Sequence, residues 1–228
     1  MSETHAPNIA LLIDADNVQP EGIDAVLTVL AELGQVNIRR AYGNWAKDAL
    51  KRWDDITNRY GIRPYQQFDL TRGKNATDMA MTIDAIDLLY QGKVDGFGIM
   101  SSDSDFTPLV SRLRQDGLPV YCFGGDKTPV ALKTACTRFI DIGKLINTAT
   151  SSKVDIDLIE LLGTAWKAAN RDEEGYAKLQ EVGQIAGNRS SFDVRNYGYK
   201  RLSELFADLE NFDVIRRDDK QLYVRRLR

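Results

Sequence analysis

Residues Asn8–Asn17 read NIALLIDADN, in which five consecutive apolar residues, Ile9 to Ile13, run directly into Asp14-Ala15-Asp16-Asn17. A run this short, apolar at both odd and even positions, is the signature of a strand buried on both faces, as in a parallel sheet. A second run of the same kind, Gly96–Met100, ends on Ser101-Ser102-Asp103-Ser104-Asp105. Working outward from these two, further strands are expected at Val36–Ala41, Ile62–Gln67, Pro119–Phe123 and Arg138–Ile140. Between them Gly22–Leu33, Ala46–Arg59, Thr77–Tyr90 and Thr107–Gln115 carry helical spacing, with Thr77 as an expected N-cap and Gly34, Gly61 and Gly117 as stops. Strand and helix alternate, so the expected class is α/β: a Rossmann-like parallel sheet flanked by helices.

Past Leu145 the sequence Asn-Thr-Ala-Thr-Ser-Ser is small and polar, the composition of a linker. The expected division is 1–147, a linker at 148–152, and 153–228. In the second part helices are expected at Ile156–Ala169, Ala177–Ala186 and Asn196–Leu209, then two β runs, Phe212–Arg216 and Gln221–Arg225, joined around Asp218-Asp219. Three helices and a hairpin are the order of a winged helix-turn-helix. The chain has 228 residues and a net charge of −3, so any polyanion must be met by a local patch. Residues 216–228 supply one, with six basic and two acidic side chains. Two cysteines, Cys122 and Cys136, make neither a disulfide framework nor a paired zinc site, and Cys122 reads as a small core residue; a reducing, cytoplasmic setting fits. No membrane span or export signal is legible. The single histidine, His5, excludes triads and paired-His chemistry, leaving carboxylates or a metal.

In an open parallel sheet ligands bind where strands end and loops leave for helices. That edge collects Asp14 and Asp16 from the first strand, Asp103 and Asp105 from the fourth, and Asp78 from the helix after the polar Arg72–Thr77 loop. Singly, each acid fits a turn, a cap or a helix N-terminus. Together they ask for a cation, since two carboxylates about 4 Å apart repel by roughly 4 kcal/mol at an effective dielectric near 20. Mg²⁺ or Mn²⁺, which prefer oxygen ligands, are the natural counter-charges. Asp84 and Asp87 lie roughly 120° and 180° round the helix from Asp78 and are assigned to a solvated face. Lys74 and Lys127 are the basic candidates at the same edge; the Lys127 loop reads either as a phosphate contact or as a plain loop with Thr128 capping and Pro129 at N1. Trp45 and Trp53, eight apart, are expected to pack on one helix, and Arg39 and Arg40 to be scattered surface charge.

Asn8–Asn17, Lys74–Asp84 (KNATDMAMTID) and Ser101–Leu109 (SSDSDFTPL), in this order, resemble the NYN domains of the LabA-like family, which have a PIN-like nuclease fold. The resemblance covers about residues 7–146. It implies that Asp14, Asp78, Asp103 and Asp105 hold a divalent metal for cleavage of RNA phosphodiesters, with Asn17 beside them and Asp16 secondary. Gly175–Leu179 and Phe192–Leu205 (FDVRNYGYKRLSEL), with the terminal hairpin, resemble an OST-HTH/LOTUS domain over roughly 153–228. That resemblance implies RNA binding or a protein partner, and Arg216, Arg217, Lys220, Arg225 and Arg226 favour RNA, expected to be single-stranded.

The resulting expectation is a metal-dependent ribonuclease, an endonuclease rather than an exonuclease. Asp14 and Asp103 are expected as direct ligands, with Asp78 and Asp105 completing the shell. Two alternatives stand beside it. One is a non-catalytic RNA-binding adaptor that keeps the fold. The other is a haloacid-dehalogenase-like phosphatase, whose nucleophile and acid pair Asp14-x-Asp16 resembles; that class usually continues with Thr or Val within two residues, whereas Asn17 follows here, and residues 15–30 show no obvious cap insertion.

Overall fold

Alternate residues of the first strand, β1 (Asn8–Asp14), fill two different cores. Ile9, Leu11 and Ile13 pack with α1 (Ile23–Ala31), while Ala10 and Leu12 pack with α3 (Ala76–Gln91) and α4 (Thr107–Gln115). This two-sided burial is why the strand reads as a continuous apolar run. The computed structural model describes residues 6–68, 76–146, 156–189 and 192–227. They fall into two compact units, residues 1–146 and 147–228.

In the first unit β1 is joined by β2 (Gln35–Gly43), β3 (Arg63–Gln66), β4 (Gly96–Met100), β5 (Val120–Gly124) and β6 (Arg138–Asp141). The sheet is entirely parallel, in the order β3-β2-β1-β4-β5-β6. The chain winds outward from β1 to β3, then crosses by α3 to β4 and winds the other way. The direction reverses between β1 and β4, the point at which open α/β sheets bind ligands. Leu12 pairs with Ile99 and Ile13 with Met100, so both strands deliver their acidic loops at one level.

The expected helix at Ala46–Arg59 is instead a turn, a 3-10 segment (Asp48–Trp53) and a short α2 (Asp54–Arg59). The turn is held by Asn44, whose side-chain oxygen accepts from the Ala46 amide at 3.3 Å. Trp45 and Trp53 do join one core, but Trp45 lies outside the helix and donates its indole N–H to the Tyr65 carbonyl at 2.9 Å. Two short helices, α5 (Val130–Ala135) and α6 (Ile142–Ile146), complete the unit. Pro129, with ψ 144°, sits at the N-cap of α5 rather than at N1, and the Thr128 hydroxyl is buried without a hydrogen bond among the described residues, so it is no cap.

The second unit has α7 (Ile156–Ala168), α8 (Leu179–Arg189) and α9 (Leu202–Asp208) over an antiparallel sheet β7-β9-β8. Leu162, Val182, Leu205, Phe206 and Val224 are its fully buried centre. Ala177 and Lys178, expected to open a helix, form β7 and pair with Val224 and Tyr223 of β9 (Leu222–Arg226). The expected helix at Asn196–Leu209 is interrupted by Gly198, whose φ of 85° ends a 3-10 turn at Val194–Tyr197 before α9 begins. β8 (Phe212–Arg216) and β9 form the wing of a winged-helix domain. The expected linker at 148–152 and His5 lie outside the described residues.

Candidate active site

Asp14 ends β1 with no solvent exposure. Its carboxylate accepts from Ser101 Oγ at 2.8 Å and from Asn17 Nδ2 at 3.0 and 3.2 Å. The loop folds this way because the amides of Asn17 and Val18 donate to the Asp14 carbonyl, at 3.2 and 3.1 Å, and turn the chain back over the strand end. Burial is the dominant cause that pushes the Asp14 carboxyl up to about 6; the Ser101 and Asn17 hydrogen bonds oppose it, and the charges of Asp78 and Asp16 add to it.

On the neighbouring strand end Ser101 is also fully buried. Its hydroxyl accepts from the Asp103 amide at 3.1 Å, and Asp103 Oδ1 in turn accepts from the Asp105 amide at 2.9 Å. Asp103, rather than Asp105, is therefore the cap of the 3-10 turn Ser104–Phe106 that leads into α4. A continuous chain of hydrogen bonds thus runs from Asn17 through Asp14 and Ser101 to Asp103 and Asp105. Ser101 carries no acid or base and so escapes a search for ionisable groups. Its only sequence signal is a small polar residue directly after a fully apolar strand.

The third contribution comes from the first turn of α3. Asp78, Asp103 and Asp105 each present a carboxylate oxygen within 4.8 Å of the others. Asp14 is not one of this trio. Burial, and next the charges of Asp103, Asp105 and Asp16, raise the Asp78 carboxyl above the usual carboxylate range. Thr77 is not the cap of α3, which begins at Ala76; its hydroxyl donates to Asp16 Oδ2 at 2.9 Å. Asp16 also accepts from the Asn44 amide and from Lys47 Nζ, both at 3.3 Å. Asp16 thereby ties the ends of β1 and β2 to the start of α3, holding the helix that carries Asp78.

Asp84, two turns along α3, is not on a solvated face. It accepts from Arg40 and from the Tyr42 hydroxyl, anchoring α3 to β2. Tyr42 is buried, and burial together with the Asp84 carboxylate holds its phenol far above its ordinary range. Arg40 also lies 5.3 Å from the Tyr65 ring centre, and Arg39 donates to the carbonyls of Val36 and Tyr60, so neither is idle surface charge. Asp87 is exposed.

The basic candidates separate into classes. Lys127 is exposed in the loop after β5, and Lys74 lies outside the described residues. In the second unit Arg217 pairs with Asp172 and Glu174 and stacks 4.7 Å from the Tyr223 ring centre. Arg225 pairs with Asp213 at 3.3 Å and lies 4.6 Å from the Tyr176 ring centre. Arg226 packs its guanidinium against Gly163, where a Cβ would meet Nη1 at 2.1 Å. These three are built into the wing, whereas Arg216 and Lys220 are exposed. Cys122 and Cys136 are free and buried in the core of the first unit.

The family model of the NYN domain matches residues 8–146, and that of the OST-HTH/LOTUS domain matches residues 149–224. A curated relative, an uncharacterized protein of Methanocaldococcus jannaschii, is 28% identical over 142 residues, which cover 60% of this chain and 55% of the relative. The chain thus spans about half the length of that relative. The crystal structure of a protein of unknown function from Vibrio parahaemolyticus matches with a TM-score of 0.51 at 23% identity, covering 62% of this chain and 96% of that one. This is a likeness of fold.

Proposed function

The chain belongs to the NYN domain family and carries an OST-HTH/LOTUS domain after it, and from that premise we propose that it is a divalent-metal-dependent ribonuclease acting within single-stranded RNA. The observation that carries this reading is the trio Asp78, Asp103 and Asp105, three carboxylates within 4.8 Å at the point where the sheet reverses direction. The donor set fits a hard cation, because every donor is a carboxylate oxygen. At that separation each ionised pair repels by about 3 kcal/mol at an effective dielectric near 20, which a divalent ion would reverse.

In this reading Mg²⁺ or Mn²⁺, when bound, supplies an acidified water and neutralises charge on the phosphate. The residues of the chain do the positioning. Asp78, Asp103 and Asp105 hold the ion, and Asp103 is oriented by the Ser101 hydroxyl. Asp14, fully buried, accepts hydrogen bonds from Ser101 and Asn17 and fixes both. Asn17, exposed and hydrogen-bonded to Asp14, is available to an RNA phosphate. The phosphatase reading falls with the family assignment.

The test is incubation of the full chain with labelled linear and circular single-stranded RNA, in Mn²⁺, in Mg²⁺ and in EDTA. Opening of the circle with either metal, none in EDTA and none with Asp103→Asn is the expected result. Cleavage that persists in EDTA or in the folded variant overturns the assignment. RNA binding without cleavage under any metal would leave the adaptor reading in its place.

A further inference from the structure

The wing domain contains a cavity that the acidic site does not use. It has a volume of about 380 Å³ and is lined by Lys178, Arg216 and Lys220 together with Leu179, Leu202 and Leu222. The three cations arrive from different places in the sequence: Lys178 from β7, Arg216 from the end of β8, Lys220 from the turn of the wing. Lys220 holds φ 61°, a left-handed backbone imposed by the turn, in which its amide donates to the Arg217 carbonyl at 2.9 Å. Leu179 opens α8, so the positive end of an eleven-residue helix faces the same cavity.

Lys178, Arg216 and Lys220 are all exposed, and among the described residues no salt bridge holds any of them, in contrast to Arg217 and Arg225. Asp219, the acid that feels the charge of Lys178, is already engaged by the Tyr223 hydroxyl at 2.9 Å and the Gln221 amide at 3.0 Å. The charge of Asp219 offsets only part of the three cations, so the cavity wall is positive and an anion is the complementary occupant. The leucines give the wall an apolar part, and Gln180, Ser203 and Gln221 complete it. A ligand that fits both parts has an anionic group and a flat apolar one, and the volume lies at the small end of ligand cavities.

We propose that this cavity holds one nucleotide of single-stranded RNA, with its phosphate against Lys178, Arg216 and Lys220 and its base against Leu202 and Leu222. The proposal rests on the reading of the chain as an RNA-binding protein. It adds Lys178, which no pattern of basic residues in the tail contains, and it removes Arg217 and Arg225 from the RNA contacts.

The experiment measures binding of a fluorescent single-stranded RNA to the full chain in EDTA, so that affinity is read without cleavage. Wild type is compared with Lys178→Ala/Arg216→Ala/Lys220→Ala and with Arg217→Ala/Arg225→Ala, each checked for folding by its melting curve. The triple variant is expected to bind at least tenfold more weakly and to lose up to about 0.7 from the salt slope, the value for the one single-strand phosphate contact the cavity makes. The double variant is expected to keep the slope even where its stability falls. An abasic RNA of the same length should bind wild type more weakly than the intact RNA, and equal binding overturns the base contact. A free nucleoside monophosphate that binds wild type as tightly as the RNA does would overturn RNA as the source of the nucleotide. If wild type binds RNA and the folded triple variant binds equally well with the same slope, the cavity assignment alone is wrong. If wild type binds no RNA, the underlying reading fails and the proposal falls with it.

Discussion

Replacing Asp14 by Asn removes a buried charge while leaving the volume almost unchanged. In the folded protein the Asp14 carboxyl is pushed up to about 6 from an ordinary 3.8. The folded state therefore binds more protons than the unfolded one between those values, and the stability of wild type falls as the pH rises through that window. Above about pH 6 the full penalty of ionising a desolvated carboxylate is present, about 3 kcal/mol at 1.36 kcal/mol per pKa unit. Asn avoids that penalty, but its amide nitrogen replaces one of two oxygens that accept from Ser101 and Asn17, at a cost of about 1 kcal/mol. The variant should then be the more stable protein by about 2 kcal/mol at pH 7.5, seen as a melting temperature higher by roughly 4–8 °C for a unit of this size. At pH 4 the order should invert, because the folded carboxyl is then neutral and the penalty left by the partly ionised unfolded state, about 0.5 kcal/mol, is smaller than the cost of the lost hydrogen bond. Calorimetric melts of both proteins in EDTA, from pH 4 to 8, give the difference directly, followed on the transition of the first unit. Curves that stay parallel across the range would refute the reasoning, since they would mean that Asp14 is not desolvated in the fold.

Further outcomes are expected from the same geometry. Mn²⁺ should raise the melting temperature of metal-free wild type, because it relieves the repulsion among Asp78, Asp103 and Asp105, and Asp14→Asn/Asp103→Asn should lose that response; an unchanged response would place the ion elsewhere. Asp84→Ala should cost about 1–3 kcal/mol in urea unfolding, because it leaves the Tyr42 hydroxyl and Arg40 without their acceptor; a loss below 0.5 kcal/mol, on the order of a neutral surface change, would show that the anchor is dispensable. Thr77→Val removes the link between α3 and Asp16 and should weaken Mn²⁺ binding in calorimetry more than it lowers stability, which should fall by about 1 kcal/mol; unaltered metal affinity would detach Asp16 from the site. Limited proteolysis should cut between residues 146 and 156 before cutting inside 60–120, with fragment masses as the readout; the reverse order would contradict two separable units.

How far the sequence reveals this protein depends on whether a residue's partner is local. The central strands were legible because burial on both faces makes a run such as Ile9–Ile13 apolar without alternation, whereas β3 is an exposed edge strand, and the acids after β1 and β4 were legible because strand ends locate them. Helices α5 and α6, at six and five residues, are too short to show a period. Ala177-Lys178 read as helix because its pairing partner, β9, lies more than forty residues later, and pairing overrode propensity. Asp84 failed for the same reason: its angle round the helix is correct, but that face meets Arg40 and Tyr42 of β2, which no helical wheel contains. The basic tail shows the limit most clearly. Counting charges finds Arg216, Arg217, Lys220, Arg225 and Arg226 as equals, whereas Asp172, Asp213, Tyr176 and Tyr223 engage Arg217 and Arg225 and leave Arg216 and Lys220 beside Lys178. Composition fixes how many cations a surface carries, and tertiary pairing decides which of them remain available to a ligand.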